Sequence, residues 1–296
     1  TTTSLLSAYR GSGQILVEGA ELPLKLPLVA RLVDALGAPI AGVEVTFTVD
    51  NGTGIVFPQS DVTDENGLIS AKFSAQKIPQ YTTFETDVIR ASSSYGDAIF
   101  YATVIALEPD RSGAPQIIVQ KPTQTVLTVG RGDVIKDFFI SQTTATRFPQ
   151  RGVAIPNVGL RVADGFDRSQ DGPGMCVNNT LSDNLGISRC DFRTTCEIDS
   201  QSLINMSVGE LRLSPMLLNV VPGTAQKVGI VSGDGQSGTA GQLLPNALAA
   251  RITDNCGTGV VGKAVTWTVT QGSATLSQVT TVSGADGRVT ARVTLG

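Results

Sequence analysis

The stretch Val43 to Val49, VEVTFTV, places Val43, Val45, Phe47 and Val49 on one side of an extended chain and Glu44, Thr46 and Thr48 on the other. Successive side chains of a strand point to opposite faces, so this alternation predicts a β-strand with one buried and one wet face. Working outward, short runs of Val, Ile, Thr and Leu alternate with Gly, Asn, Asp and Pro along nearly the whole chain. No window sustains the 3.6-residue apolar period of an amphipathic helix, so the fold class is all-β.

The segment recurs. Shifting the sequence by 220 positions lays Arg31, Asp34, Gly37, Gly42, Val45, Thr46, Thr48, Val49, Gly52, Val62, Gly67 and Ala71 on Arg251, Asp254, Gly257, Gly262, Val265, Thr266, Thr268, Val269, Gly272, Val282, Gly287 and Ala291, without a gap. Valine and threonine coincide easily in β-rich sequence, whereas glycines aligned at turn positions do not. A weaker copy lies between. Ile155, Val158, Leu160 and Val162 resemble Ile40, Val43, Val45 and Phe47, and Gly186 to Phe192 resembles Gly67 to Phe73. The unit reads as strand, turn, strand, loop and a hairpin closed by Asn66-Gly67 or Asp286-Gly287, dipeptides suited to tight turns with positive φ. Further strands follow in the first two copies, at Asp87 to Ala91 with Ala98 to Leu107, and at Leu203 to Val208 with Leu211 to Val221. Several short strands per repeat predict an immunoglobulin-like sandwich, with Trp267, at the position of Phe47, as a buried core aromatic.

The pattern D-x-x-G-x-P-I-x-G-x-x-V-T-F-x-V followed by T-D-x-x-G is carried by Asp34, Gly37, Pro39, Ile40, Gly42, Val45, Thr46, Phe47, Val49, Thr63, Asp64 and Gly67. It resembles the bacterial Ig-like group 1 (Big-1) domain of intimin and invasin-type surface proteins, strongly in the first copy, well in the third and weakly in the second. The resemblance implies tandem Ig-like β-sandwich domains arranged as a rod on or outside a bacterial cell. The expected division is 1–108, a divergent 109–222 with an insertion at 164–174, and 223–296. The third copy reaches Gly296, equivalent to Gln76, without counterparts of the last strands of the first. Two readings stay open, a segment of a longer tandem array or a sandwich that receives a donated strand from a partner. The start at Thr1 fits a mature or excised segment.

Composition excludes several functions. The chain has 22 Lys plus Arg against 26 Asp plus Glu, a net charge of −4, without the basic stripe that nucleic acid selects. Apolar stretches such as Tyr101 to Leu107 are too short to span a bilayer, and the region 22–33 is broken by Pro23, Lys25, Pro27 and Arg31. With no histidine and no G-x-S-x-G turn, neither a catalytic base of the usual kind nor a nucleophile elbow is present, and no enzyme activity or cofactor is expected.

Cys176, Cys190, Cys196 and Cys256 lack the close paired spacing of a zinc site. They are read as disulfides, which place the protein outside the cytoplasm, with four buried thiols as the alternative. Cys176 and Cys190 flank the turn Ser182 to Gly186 on adjacent strands, a geometry that suits bonding. Cys196 and Cys256 fall at the facing ends of the second and third copies, so a Cys176–Cys190 and Cys196–Cys256 pairing is expected, the second crossing the junction. Asp164, Asp167 and Asp171, with Asp183 and Asp191 near them, form a weak Ca²⁺ candidate whose plainer reading is a solvated loop. Arg131-Gly132-Asp133 is an adhesion-type tripeptide that also suits an ordinary turn.

The functional expectation is a non-catalytic spacer or adhesion stalk of a bacterial surface or secreted protein. Its partners would be neighbouring Ig-like domains of a longer chain and a host or cell-surface protein or glycan. The alternative is a protein- or glycan-binding module using the insertion or an interdomain groove.

Overall fold

The computed structural model describes residues 5–18, 26–106, 114–163 and 173–296. The first unit contains β1 (Leu5–Arg10), β2 (Gln14–Val17), β3 (Leu28–Val33), β4 (Thr46–Asn51), β5 (Ile55–Pro58), β6 (Leu68–Ser74), β7 (Phe84–Ser93) and β8 (Gly96–Ile105). They form two four-stranded sheets, β1-β3-β6-β5 and β2-β8-β7-β4, antiparallel except for the parallel pair β2 and β8. The inner faces supply the core from alternate positions: Leu28, Ala30 and Leu32 from β3, Ile69, Ala71 and Phe73 from β6, and Phe100, Ala102 and Val104 from β8 are all buried. Val45 and Phe47 join them while Glu44, Thr46 and Thr48 stay exposed.

The second unit repeats the plan with β9 (Gln116–Lys121), β10 (Val126–Gly130), β11 (Val134–Thr144), β12 (Leu160–Ala163), β13 (Gly174–Cys176), β14 (Ile187–Thr194), β15 (Gln201–Val208), β16 (Leu211–Arg212) and β17 (Met216–Val221). Its sheets run β13-β14-β11-β9 and β10-β17-β15-β12, with β16 paired to β15. The third unit has one sheet, β18-β19-β21-β20, from β18 (Lys227–Ser232), β19 (Leu248–Thr253), β20 (Ala274–Ser277) and β21 (Arg288–Leu295). Its order matches that of β1-β3-β6-β5.

The segment equivalent to β4, Thr266 to Thr270, belongs to no ladder among the described residues. Trp267, expected in the core, is therefore only half-buried. Its indole N–H donates to the Thr280 carbonyl at 3.1 Å, and its ring packs on a small cluster of Ile252, Val260 and Val289.

One polar device recurs in all three units. The hydroxyl of Thr63 donates to the Ile40 carbonyl at 2.9 Å and accepts from the Val43 N–H at 3.1 Å. Ser182 does the same between Ile155 and Val158 at 2.9 Å each, and Ser283 between Val260 and Lys263 at 2.6 and 2.9 Å. Each of these residues is 3% exposed, so its hydroxyl satisfies backbone groups that burial would otherwise leave orphaned.

Four residues further on sits a glycine, Gly67, Gly186 or Gly287, whose carbonyl accepts from the N–H of Leu32, Thr143 or Ile252. A Cβ at any of the three would collide with the carbonyl oxygen of that same residue, and φ there is +70°, +72° and +78°. The tight Asn-Gly or Asp-Gly turn expected from sequence is instead a four-residue turn in which only the glycine has positive φ. In the first unit the Asp64 N–H donates to the Leu68 carbonyl and the Gly67 N–H to that of Asp64, while the Asp64 carboxylate accepts from the N–H groups of Asn66 and Leu68 at 2.9 and 2.8 Å. An Asp that holds its own turn in this way removes the need for a second left-handed residue.

Gly67→Ala should cost about 1–3 kcal/mol in the first unit, because left-handed strain and a backbone clash act together. Gly37→Ala, at φ +85° with nothing within 4 Å of the new methyl, should cost only about 1 kcal/mol from strain alone. Amide exchange from β3 in urea measures both.

A second prediction concerns Asp87 on the inner face of β7, which is fully buried. One carboxylate oxygen accepts from the Gly54 N–H at 2.7 Å, and the other is buried without a partner. Desolvation pushes its pKa up from 3.8 to about 6, against the hydrogen bond from Gly54. The folded state therefore binds the proton more tightly than the unfolded chain. This stabilisation is complete below pH 4 and is lost as the pH rises through 6. Intrinsic-rate-corrected exchange from β7 and β8 should be slower at pH 5 than at pH 7, and Asp87→Asn should flatten the dependence.

Candidate functional site: the junctions between units

The residues of greatest functional interest lie where one unit meets the next. Between the first and second units, contact is made largely by backbone. The Gly159 N–H donates to the Gly13 carbonyl at 2.8 Å and the Ile15 N–H to that of Gly209 at 3.0 Å, and within the second unit the Gly209 N–H donates to the Gly159 carbonyl at 2.8 Å. Glycine is required at Gly13, since a Cβ would meet the backbone of Gly159. On the other side, the Gln150 side-chain oxygen accepts from the Thr83 N–H and hydroxyl at 2.7 Å each and from the Phe84 N–H at 3.3 Å. Ile15 and Phe84 of the first unit pack against the core of the second, so the apolar surface is continuous across the boundary.

The second and third units are joined covalently. The structure bonds Cys196 to Cys256 with a Cα separation of 5.4 Å. It also bonds Cys176 to Cys190 at 5.2 Å, inside the second unit. Cys176 lies opposite Phe192 in the ladder, so this bridge reaches diagonally across two residues of β14. There are no free cysteines among the described residues.

Around the inter-unit bridge, Arg131, Gly132 and Asp133 are all engaged. The Arg131 guanidinium donates to the Ile198 carbonyl at 3.0 Å. Gly132, at φ +71°, lies against the sulfur of Cys256, where a side chain would collide. One oxygen of the Asp133 carboxylate accepts from the Thr224 N–H at 3.1 Å and from its hydroxyl at 2.9 Å. Buried Asp254 completes the joint. One oxygen accepts from the Gly223 N–H at 2.9 Å, and the other from the N–H groups of Cys256 and Thr258 at 2.9 and 2.8 Å.

Of the calcium candidates, Asp164, Asp167 and Asp171 lie outside the described residues. Asp183 caps its own turn through the N–H groups of Leu185 and Ile187, and Asp191 accepts from the Asp137 N–H. No group of three potential metal ligands occurs among the described residues. No described helix is long and apolar enough to cross a membrane.

Sequence reasoning singles out Arg131, Gly132, Asp133 and the cysteines but misses Gln150, Gly13, Gly159 and Thr224. Nothing in one sequence marks a loop glutamine or a lone glycine as an inter-unit contact.

Paired antiparallel sheets around a shared core, repeated with the same strand order, define immunoglobulin-like modules. The first of them matches the bacterial Ig-like domain (group 1) over residues 25–94. No curated protein sequence matches the chain. Among solved structures, the D0-D1 domain of intimin is 15% identical with a TM-score of 0.28, covering 73% of this chain and 98% of that one. Domains 5-6 of the S-layer protein SbsC are 11% identical, with a TM-score of 0.29 and coverage of 75% and 100%. The Yersinia pseudotuberculosis adhesin InvE is 13% identical, with a TM-score of 0.26 and coverage of 88% and 71%.

Gln150→Ala should leave the N–H and hydroxyl of Thr83, which is 6% exposed, without their acceptor, at about 1–3 kcal/mol. The expected readout is faster amide exchange at Thr83 and Phe84, with β3 and β14 unchanged.

Proposed function

We propose that the chain is a non-catalytic stalk of a bacterial surface or secreted adhesin-type protein, built from Ig-like modules at 1–108, 109–222 and 223–296. The observation that carries the reading is the Cys196–Cys256 bond, which ties the second unit to the third where Asp133 also bridges them through Thr224. Chain segments between independently mobile domains are normally flexible, Pro- or Gly-rich linkers with few crossing contacts. Here the Val221 carbonyl accepts from the Arg131 N–H and the Gly223 N–H donates to Asp254, so the connection is held from both sides. The stalk's mechanism is mechanical: strand ladders resist extension within a module, and the joints resist bending between modules.

Two disulfides persist in an oxidising compartment, which supports a location outside the cytoplasm. The family match over residues 25–94 supports a surface location and an absence of catalysis, and the lack of histidine removes the commonest general base.

Small-angle scattering tests the joint. Cys196→Ser with Cys256→Ser should broaden the distance distribution and shorten the mean end-to-end span, while each module keeps its amide protection. An unchanged distribution with both cysteines replaced would overturn the stiff-stalk reading.

A further inference from the structure

Beside the junction of the first two units lies a cleft of about 660 Å³, within the usual size of ligand sites. Three strands border it: β1 at Ala8 to Arg10, β12 at Leu160 to Val162, and β13 at Gly174 to Met175. Among the described residues each ends its sheet, β1 pairing with β3, β12 with β15 and β13 with β14, although the Leu160 N–H of β12 already donates to the Thr180 carbonyl. A terminal strand offers unpaired N–H and C=O groups that a further strand can take up, and exposed edges of this kind are usually blunted or covered. Here two such edges, on β1 and β13, border one hollow together with β12.

The cleft also carries an unmatched charge. The Arg10 guanidinium lies 4.9 Å from the centre of the Tyr9 ring, and the Arg31 guanidinium lies 5.5 Å from it. Among the described residues Arg10 Nη2 is buried with no hydrogen-bond partner. The neighbouring Arg161 is already matched by Glu210 at 3.6 Å, so the excess within the cleft belongs to Arg10, while Arg31 reaches the Tyr9 ring without lining the cleft. In a chain of net charge −4, that excess sets this surface apart. Ile99, Leu181 and Met175 add apolar wall, Met175 being 57% exposed.

We propose that this cleft binds an extended acidic peptide of another protein by strand addition. The peptide main chain pairs along a free edge, and a carboxylate seats on Arg10. Main-chain pairing supplies affinity and side-chain pockets supply selectivity in this mode, and the planar guanidinium fork favours carboxylate over neutral groups. Unlike a stalk role, this gives the first two units a partner of their own.

A displayed library of random nonapeptides, selected on the full chain, tests the proposal. The expected result is enrichment of alternating β-branched sequences carrying Asp or Glu. Their synthetic forms should shift amide signals at Ala8 to Ser12, Leu160 to Val162 and Met175. Replacing the acidic residue by its amide should weaken binding about tenfold, as should Arg10→Met. Met175→Glu, a change at an exposed site, should weaken it comparably by repulsion and guards against misfolding of the Arg10 variant. No enrichment, enriched peptides without acidic residues, or equal affinity for the amide peptide would overturn the proposal. So would tighter binding of oligogalacturonate, which would make the cleft a saccharide site.

Discussion

Every unit of this chain depends on one backbone contact, the carbonyl of Gly67, Gly186 or Gly287 pressed against the second strand of its sheet. The contact is close because no side chain intervenes, and it holds because the strand N–H donates directly to the glycine carbonyl. The buried hydroxyl of Thr63, Ser182 or Ser283 stands four residues earlier and fastens the neighbouring loop from the other side. Together they fix the connection between strands relative to the core. The rest of the sheet, with its alternating Leu, Ala, Ile and Phe, then has only one register that buries the apolar face. The third unit shows how local this device is. It is intact there although the core is reduced to a few residues around Ile252, Val260 and Val289.

Legibility in the sequence follows the range of the interaction. The alternation from Val43 to Val49 is a short-range signal, and the structure places Val45 and Phe47 in the core with Thr46 and Thr48 outside. The repeat was legible because turn glycines and the Asp and hydroxyl residues beside them answer to local geometry. The exact turn was not. A carboxylate such as that of Asp64, capping two N–H groups of its own loop, leaves Asn66 free to keep negative φ, and no composition rule shows it. Trp267 was misjudged for a different reason. Burial of a core aromatic requires the facing sheet, and the ladder that flanks Phe47 has no counterpart beside Trp267 among the described residues. Contacts between units were least readable, since Gln150 and Gly159 act on residues far away in sequence.

The two joints use different chemistry for one purpose. The first relies on backbone bonds among Gly13, Gly159 and Gly209 and on a glutamine acceptor, groups that neither titrate nor respond to redox conditions. The second relies on a disulfide with carboxylates beside it. Arg131, Gly132 and Asp133 belong to this second joint, where both charged side chains accept or donate hydrogen bonds within the protein. Their chemistry is spent on holding the modules together.

The Cys196–Cys256 bond also decides where tension runs. A pull on the two chain ends travels along the backbone to Cys196 and crosses directly to Cys256, bypassing the 60 residues of sequence that separate them. The strands β15 to β19 all fall inside that closed loop, so they carry none of the covalent tension. Roughly 200 Å of contour length stays locked even if the second sandwich opens. An oxidised chain therefore has a fixed limit to its extension at this joint, and the thiol state of two residues sets how far the chain can lengthen there under load.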